Sequence, residues 1–446
     1  RTGPAHRADA GAQALAGLED VAAQLNTDRP SVAIVGAGWA GLACAVECVA
    51  RGVRPVVFEA APQIGGRARA VELDGLALDN GQHILIGGYV DTLAMMRTVG
   101  ADPDRLFDRL PLSLRFTDGF ELRARSGSPW AQAMAFMTCP GLTWGDRLAA
   151  MRLMAAIRRA PRDDETVTQM FARTRQTDTN VRYLWAPLCI AALNTGLDDA
   201  SARVFAQVLR DTLLGRAGAS DVLLPRTDLG QLFPAPAAAW LTRQGGQVRA
   251  GERVRSISPH ADGFALDVAS GPEVFAQVVI ATSPHHVPAL IGALPGTERI
   301  AAEIALLGYE QVTTVFADFG EGARLPQSMM GFADGVPHWI FDRGALGGPP
   351  GLMACVVSAA DAARDDTERA VIDAVRRAFP SLPEPRRVRT LTDRRATFRC
   401  TPGRAAIAQP ADPRLALAGD YLLPLYPATL ESAVRSGIAA ARRVAG

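Results

Sequence analysis

The chain reads as an α/β protein built around a strand–helix–strand unit. Three observations predict this. Over residues 31–59 a β-branched run, a glycine-rich turn, an Ala-rich helical stretch and a second apolar run ending in an acid follow in order. Residues 415–437 read as a buried strand that ends at an acid and gives way to a helix start. Between them, residues 245–284 alternate apolar and polar side chains with turn residues at the corners, the period of β-strands.

Val32 to Val35 forms the first strand. In the GAGWAG turn that follows, Gly36, Gly38 and Gly41 permit a tight turn, close backbone approach to a pyrophosphate, and close packing of helix on strand. The helix N-terminus adds oriented N–H donors for phosphate charge. The second run, Pro55 to Phe58, ends at Glu59, near the ~20-residue spacing of an acid that binds ribose hydroxyls. Gly65, Gly66 and Arg67 come next. Two glycines admit the backbone close to a cofactor, and a forked guanidinium neutralises a pyrophosphate. Near the other end, LALAGD places Gly419 and Asp420 after a strand. Tyr426, Pro427, Ala428 and Thr429 then open a helix, Pro being suited to a first turn.

Composition sets bounds. At 446 residues and 48% hydrophobic content the chain supports two or three domains with a large core. A net charge of +1 offers no broad basic field for nucleic acid. All 47 basic residues are Arg, which excludes lysine chemistry. The six cysteines include no C-x-x-C pair, and Cys44 and Cys48, one helical turn apart, read as small core residues. The six histidines lack metal spacing, and the adjacent His285 and His286 are expected to point different ways, so no metal site is predicted. Residues 1–30 carry no apolar core of signal-peptide length and read as a disordered or weakly helical extension. No uncharged apolar run reaches the ~18 residues of a membrane span.

Two further stretches carry readings. ALDNGQHI (77–84) packs Asp79, Asn80, Gln82 and His83 around Gly81 between apolar stretches; the plain reading is a polar turn. DRLAAMRLMAAIRRA sets Leu148, Met151, Leu153, Met154 and Ile157 against Arg147, Arg152, Arg158 and Arg159. That is either an amphipathic helix for an anionic membrane or a surface helix packed on the core.

The GGR turn directly after the second strand resembles the glutathione-reductase-like FAD superfamily, in its amine oxidase and phytoene desaturase branch. More specifically, LDNGQH (78–83), LWAPLCIAALNT (184–195), SDVLLPR (220–226), YEQVTTVF (309–316), WIFDRGALGG (339–348), RATFRCTPG (395–403) and AGDYLLPLYPATLESAVRSG (418–437) look like bacterial hydroxysqualene dehydroxylases. The resemblance spans about residues 31 to 443. It implies a discontinuous Rossmann FAD-binding domain made of 31–103, 241–289 and 389–446. A substrate domain is inserted as a helical part, 104–240, and a sheet-plus-helix part, 290–388. Asp420 is then expected at the pyrophosphate or ribityl region, Val254 at the adenine, and the helix starting near Thr429 at the flavin N1–C2=O edge.

The implied reaction takes hydroxysqualene and reduced FAD to squalene and water, with an electron donor that the motifs do not name. Loss of hydroxide from an allylic alcohol needs an acid, and the cation that remains needs a hydride donor and no competing water. The polar knot falls beside the flavin in this scheme. His83 is the first candidate acid because it titrates near neutrality, and Asp79 the second, provided burial raises its pKa. A purely structural knot stays open as an alternative. Asn194, Asp221 and Arg226 read as cap and ion-pair residues. An amine oxidase is disfavoured by the absence of lysine. A phytoene-type desaturase, running hydride the other way, and a non-redox prenyl-binding protein of the same architecture are the remaining alternatives. The protein is expected in the cytoplasm, peripherally bound to the inner face of the cytoplasmic membrane.

Overall fold

The structure, a computed structural model, describes residues 31–73, 75–159, 165–359 and 364–446; the expected N-terminal extension lies outside them. Five parallel strands form the first sheet. They are β1 (Ser31–Val35), β2 (Arg54–Glu59), β3 (Gln247–Ala250), β4 (Gln277–Ile280) and β5 (Leu415–Leu417), in the order β3-β2-β1-β4-β5. Val35 registers with Phe58 on one side and Ile280 on the other. The β1 side chains alternate between two covers. Val32 and Ile34 join the core of helix α1 (Trp39–Ala50), whereas Ala33 and Val35 join that of the antiparallel strands Ser256–His260, Gly263–Val268 and Gly271–Phe275. Burial on both faces explains the unbroken apolar runs. Phe58 meets Phe275 edge to face at 5.9 Å.

The second sheet is antiparallel and holds Met329–Gly331, Trp339–Asp342, Leu352–Ser358, Tyr309–Asp318 and Arg387–Phe398 in that order. Two expected boundaries move. Arg387–Phe398 pairs along Tyr309–Asp318 as far as the couple Tyr309–Phe398, so the inserted sheet runs past residue 388. The helix Pro234–Arg243, expected in the helical insertion, packs on α1 instead, with Phe233 5.2 Å from Trp39. Pairing and packing partners distant in sequence decide both edges.

The helical insertion includes α2 (Pro129–Thr138), α3 (Trp144–Ile157), a π-helical turn Val181–Trp185, and α4 (Ala186–Leu193). Thr143 caps α3 reciprocally with Asp146, a capping box. The simple picture of one apolar and one basic face is corrected here. Ala150, Leu153 and Ile157 face inward, but so does Arg147, which donates to the Cys139 carbonyl at 2.9 Å. Leu148 and Met151 face outward with Arg152, and Trp144 is 73% exposed. The basic side is therefore largely apolar. Among the described residues no helix is long and apolar enough to cross a membrane, and all six cysteines are free and buried.

Candidate active site

A cavity of about 790 Å³ lies at the carboxyl ends of the parallel strands, between them and the second sheet. In open parallel sheets this is where ligands bind. Gly36, Gly38, Gly65 and Gly66 line one wall. The Gly65 N–H donates to the Ala37 carbonyl at 2.8 Å, and Gly38 pairs with Gly65 as a parallel bridge, so the two glycine turns are joined backbone to backbone. Gly36 has φ +111°, and a Cβ there would stand 2.7 Å from the Ala281 carbonyl oxygen. Gly41 does not line the cavity; its Cβ would fall 1.9 Å from the Gly36 oxygen, so it serves helix–strand packing. No side chain caps the first turn of α1, which leaves its free N–H groups for a ligand.

Glu59, at the end of β2, accepts from the Ala37 N–H at 2.8 Å and the Ala61 N–H at 2.9 Å. A carboxylate so held keeps lone pairs for further donors. Arg67 donates to Asp420 at 2.7 Å and to the Ala396 carbonyl at 2.8 Å. The other Asp420 oxygen, Oδ1, is buried without a protein partner, an acceptor suited to a ligand hydroxyl or amide. Gly419, Ala428 and Thr429 also line the cavity, as does Val254. Thr429 caps helix α5 (Leu430–Val444) by accepting from Ser432 N–H, so the positive end of α5 reaches the cavity. Pro427 does not line it; its carbonyl accepts from the Ser432 hydroxyl at 2.9 Å.

The polar knot divides. Asn80, Gly81, Gln82 and His83 line the cavity, and Asp79 does not. Asn80 donates to the Arg67 carbonyl at 3.0 Å, linking the knot to the GGR turn. His83 Nδ1 lies 2.9 Å from the Gly81 carbonyl oxygen, which can only accept; Nδ1 therefore carries the proton, and Nε2 is the ring's remaining polar atom. Burial pushes the His83 imidazole below its ordinary range, against smaller upward pulls from that carbonyl and from Asp79. Asp79 is buried, and that burial raises its carboxyl. It accepts from the Leu229 N–H at 2.8 Å and faces the buried Arg343 guanidinium at 3.5 Å, and Arg343 in turn donates to Gln82 at 3.0 Å. The geometry gives Asp79 a bracing position behind the knot.

Beyond the knot the lining turns apolar, with Ile84, Ala191, Ala192, Val312, Trp339 and Phe341. Asn194, expected as a cap, is the left-handed C-cap of α4 with φ 46° and also lines the cavity, donating to Thr397 at 2.9 Å. Asp221 pairs with Arg109 at 2.8 Å, and Arg226 is exposed on the surface. His285 and His286 do not point apart: their rings lie 3.9 Å apart because a 3₁₀ turn carries both, and only His286 lines the cavity. Burial, with His286 beside it, lowers His285 to about 4. No cluster of metal-ligating side chains occurs among the described residues. In the sequence WIFDRGALGG carries a family likeness but no chemical pattern, which leaves Arg343 and Trp339 without an expected role.

A dinucleotide fits this cradle: glycine backbone, an uncapped helix start, the Glu59 carboxylate and the Arg67–Asp420 pair stand around one cavity. The family model for flavin-containing amine oxidoreductases matches residues 39–445. The chain belongs to that family. It is an FAD-dependent oxidoreductase. Hydroxysqualene dehydroxylase of Rhodopseudomonas palustris is 28% identical over 438 residues, covering 92% of this chain and 97% of that protein. A probable zeta-carotene desaturase of Synechococcus elongatus is 25% identical over 251 residues, 51% of each chain. Cyclohexylamine oxidase from Brevibacterium oxydans superposes with a TM-score of 0.68 at 19% identity, over 94% of this chain and 99% of the oxidase, a likeness of fold.

Proposed function

We propose that this flavoprotein removes the hydroxyl group of hydroxysqualene reductively, giving squalene and water. The observation that carries the reading is the extent of likeness. It runs through both inserted parts against hydroxysqualene dehydroxylase, and through only half of the chain against the desaturase. Bound FAD in its reduced form supplies the hydride. The chain's own residues do the rest. Gly36, Gly38, Gly65, Gly66 and the start of α1 take the pyrophosphate, Glu59 the ribose, and Arg67, Asp420 and Thr429 the flavin side. Val254 covers the adenine. The apolar wall excludes water that would trap an allylic cation. His83 meets the departing hydroxyl at Nε2: the imidazolium donates there while Nδ1–H stays on Gly81. Asp79 steadies it from behind through Arg343 and Gln82.

A substrate so apolar partitions out of water by on the order of 20 kcal/mol, at ~0.8 kcal/mol per buried methylene-sized group, so it is taken from a bilayer. The exposed Trp130, Met134, Trp144, Leu148 and Met151 on α2 and α3, with Arg152, Arg158 and Arg159 beside them, suit a peripheral contact with anionic lipid. The test is anaerobic: chemically reduced protein is mixed with hydroxysqualene, and flavin reoxidation and products are followed. Squalene formed in step with reoxidation is the expected result. If oxidised protein instead introduces double bonds into an isoprenoid, the reaction is a desaturation and the proposal is wrong.

A further inference from the structure

A second cavity, of about 360 Å³, borders the first. Its walls are Val181 of the π-helical turn, Ala186, Pro187 and Ile190 of α4, and Phe332 and Ala333 after the short strand Met329–Gly331. Trp339 lines both cavities. Its ring is held in place: a Cβ on Gly331 would come within 3.0 Å of it, and Phe116 lies 5.9 Å away. The partition is thin elsewhere too. His338 lines the outer cavity and accepts at 3.2 Å from the backbone N–H of Ser358, which lines the inner one. Helix α4 serves both, presenting Ile190 outward and Ala191 and Ala192 inward. Polar groups gather at the rim, where Arg182 pairs with Asp334 across the opening and also approaches Asp118 at 3.6 Å.

We infer that the outer cavity is an annex of the substrate site and houses one arm of a long isoprenoid, with Trp339 as the partition the chain passes. This rests on the reading of the substrate given above. The inner cavity must hold the dinucleotide as well as the reacting part of the substrate, and a thirty-carbon chain has apolar length to spare on both sides of its reacting carbon. Behind the wall formed by Trp339 lies the annex. An apolar chain filling it displaces water from six partly buried apolar side chains, which is favourable, while the charged residues of its lining, Asp178, Arg182 and Asp334, are all solvent-exposed.

The test measures binding, separately from turnover. The flavin spectrum of the holoenzyme is titrated with squalene and with a ten-carbon isoprenoid alcohol, each delivered in detergent. Ile190→Trp and, independently, Ala186→Phe fill the annex; flavin content reports that each variant is folded. The expected result is about tenfold or greater weakening for squalene, the loss of only a few buried methylenes, with the ten-carbon ligand unchanged. Equal weakening of both ligands, or unchanged binding of squalene in both variants, overturns the annex while leaving the substrate reading intact. Wild-type protein that responds to neither ligand overturns both.

Discussion

Arg67 and Asp420, 353 positions apart in the chain, meet at 2.7 Å on the wall of the cavity. The pair joins the second glycine-rich turn to the residues that follow the last strand of the parallel sheet, and it leaves Asp420 Oδ1 buried with no protein donor. Arg67→Ala should therefore lower both flavin retention and stability. Removing one partner of a buried ion pair costs roughly 3–5 kcal/mol, and the 29% exposure of Arg67 puts the expectation at or below the low end. Flavin-to-protein ratio and thermal melting together check it; an unaltered ratio would place the cofactor elsewhere.

Gly38 and Gly41 separate cofactor binding from folding. A Cβ at Gly38 would sit 3.7 Å from Gly66 Cα, ordinary contact, whereas one at Gly41 would be 1.9 Å from the Gly36 oxygen. Gly38→Val should give a folded, colourless protein, its branched side chain occupying the pyrophosphate position. Gly41→Val should fail to fold. Circular dichroism and absorbance in the flavin band distinguish the two, and a yellow Gly38→Val protein refutes the assignment.

His83→Ala should retain FAD and its reducibility yet slow reoxidation by hydroxysqualene by ~10²–10⁴-fold, the range of general acid catalysis. Because burial lowers the His83 pKa, the donor form accumulates only below the ordinary value of about 6.5. Single-turnover rates should rise as pH falls through that lowered pKa, and His83→Ala should flatten the rise. Asp79, Arg67 and Asp393 also face this imidazole. A profile that keeps its slope in the variant removes His83 from the proton step.

Asp79→Ala tests the brace. It would strand the Arg343 guanidinium, 8% exposed, without its carboxylate, at a cost of roughly 3 kcal/mol or more. The melting temperature should drop more than in Asp79→Asn, which still accepts from Leu229. If Asp79→Ala melts like wild type and loses only activity, Asp79 acts in the chemistry instead.

Trp144→Ser combined with Met151→Ser should weaken partition onto anionic liposomes. Reversing the charge of Arg152, Arg158 and Arg159 should do so as well, more strongly at low salt. Flotation of holoenzyme with vesicles measures both. Unchanged partition in the two sets moves the docking surface away from α3.

The cradle was legible because its pattern is local: Gly36, Gly38, Glu59, Gly65 and Arg67 lie within a few dozen residues, and the structure brings all five to one cavity. What escaped depends on partners distant in sequence. Asp79 reads as a candidate acid until the Leu229 N–H and the Arg343 guanidinium arrive from 229 and 343 to occupy it. Arg147 falls on the basic side of a helical pattern, yet the Cys139 carbonyl draws it inward and leaves Leu148 and Met151 outside. The domain edges moved for the same reason. Phe233 finds Trp39, and Phe398 finds Tyr309, through contacts no window along the chain contains.

Helix α5 lies so close to α1 that a Cβ at Gly437 would stand 2.1 Å from the Ala40 carbonyl oxygen. This contact bears on the order of synthesis. The segment from Ser31 to Arg67 leaves the ribosome with its glycine turns complete, but the carboxylate that meets Arg67 follows 353 positions later, and the helix that covers α1 later still. A polypeptide interrupted anywhere before Leu430 lacks that cover and exposes the apolar side of α1 to water. A complete cofactor cradle thus waits for the synthesis of Leu430–Val444.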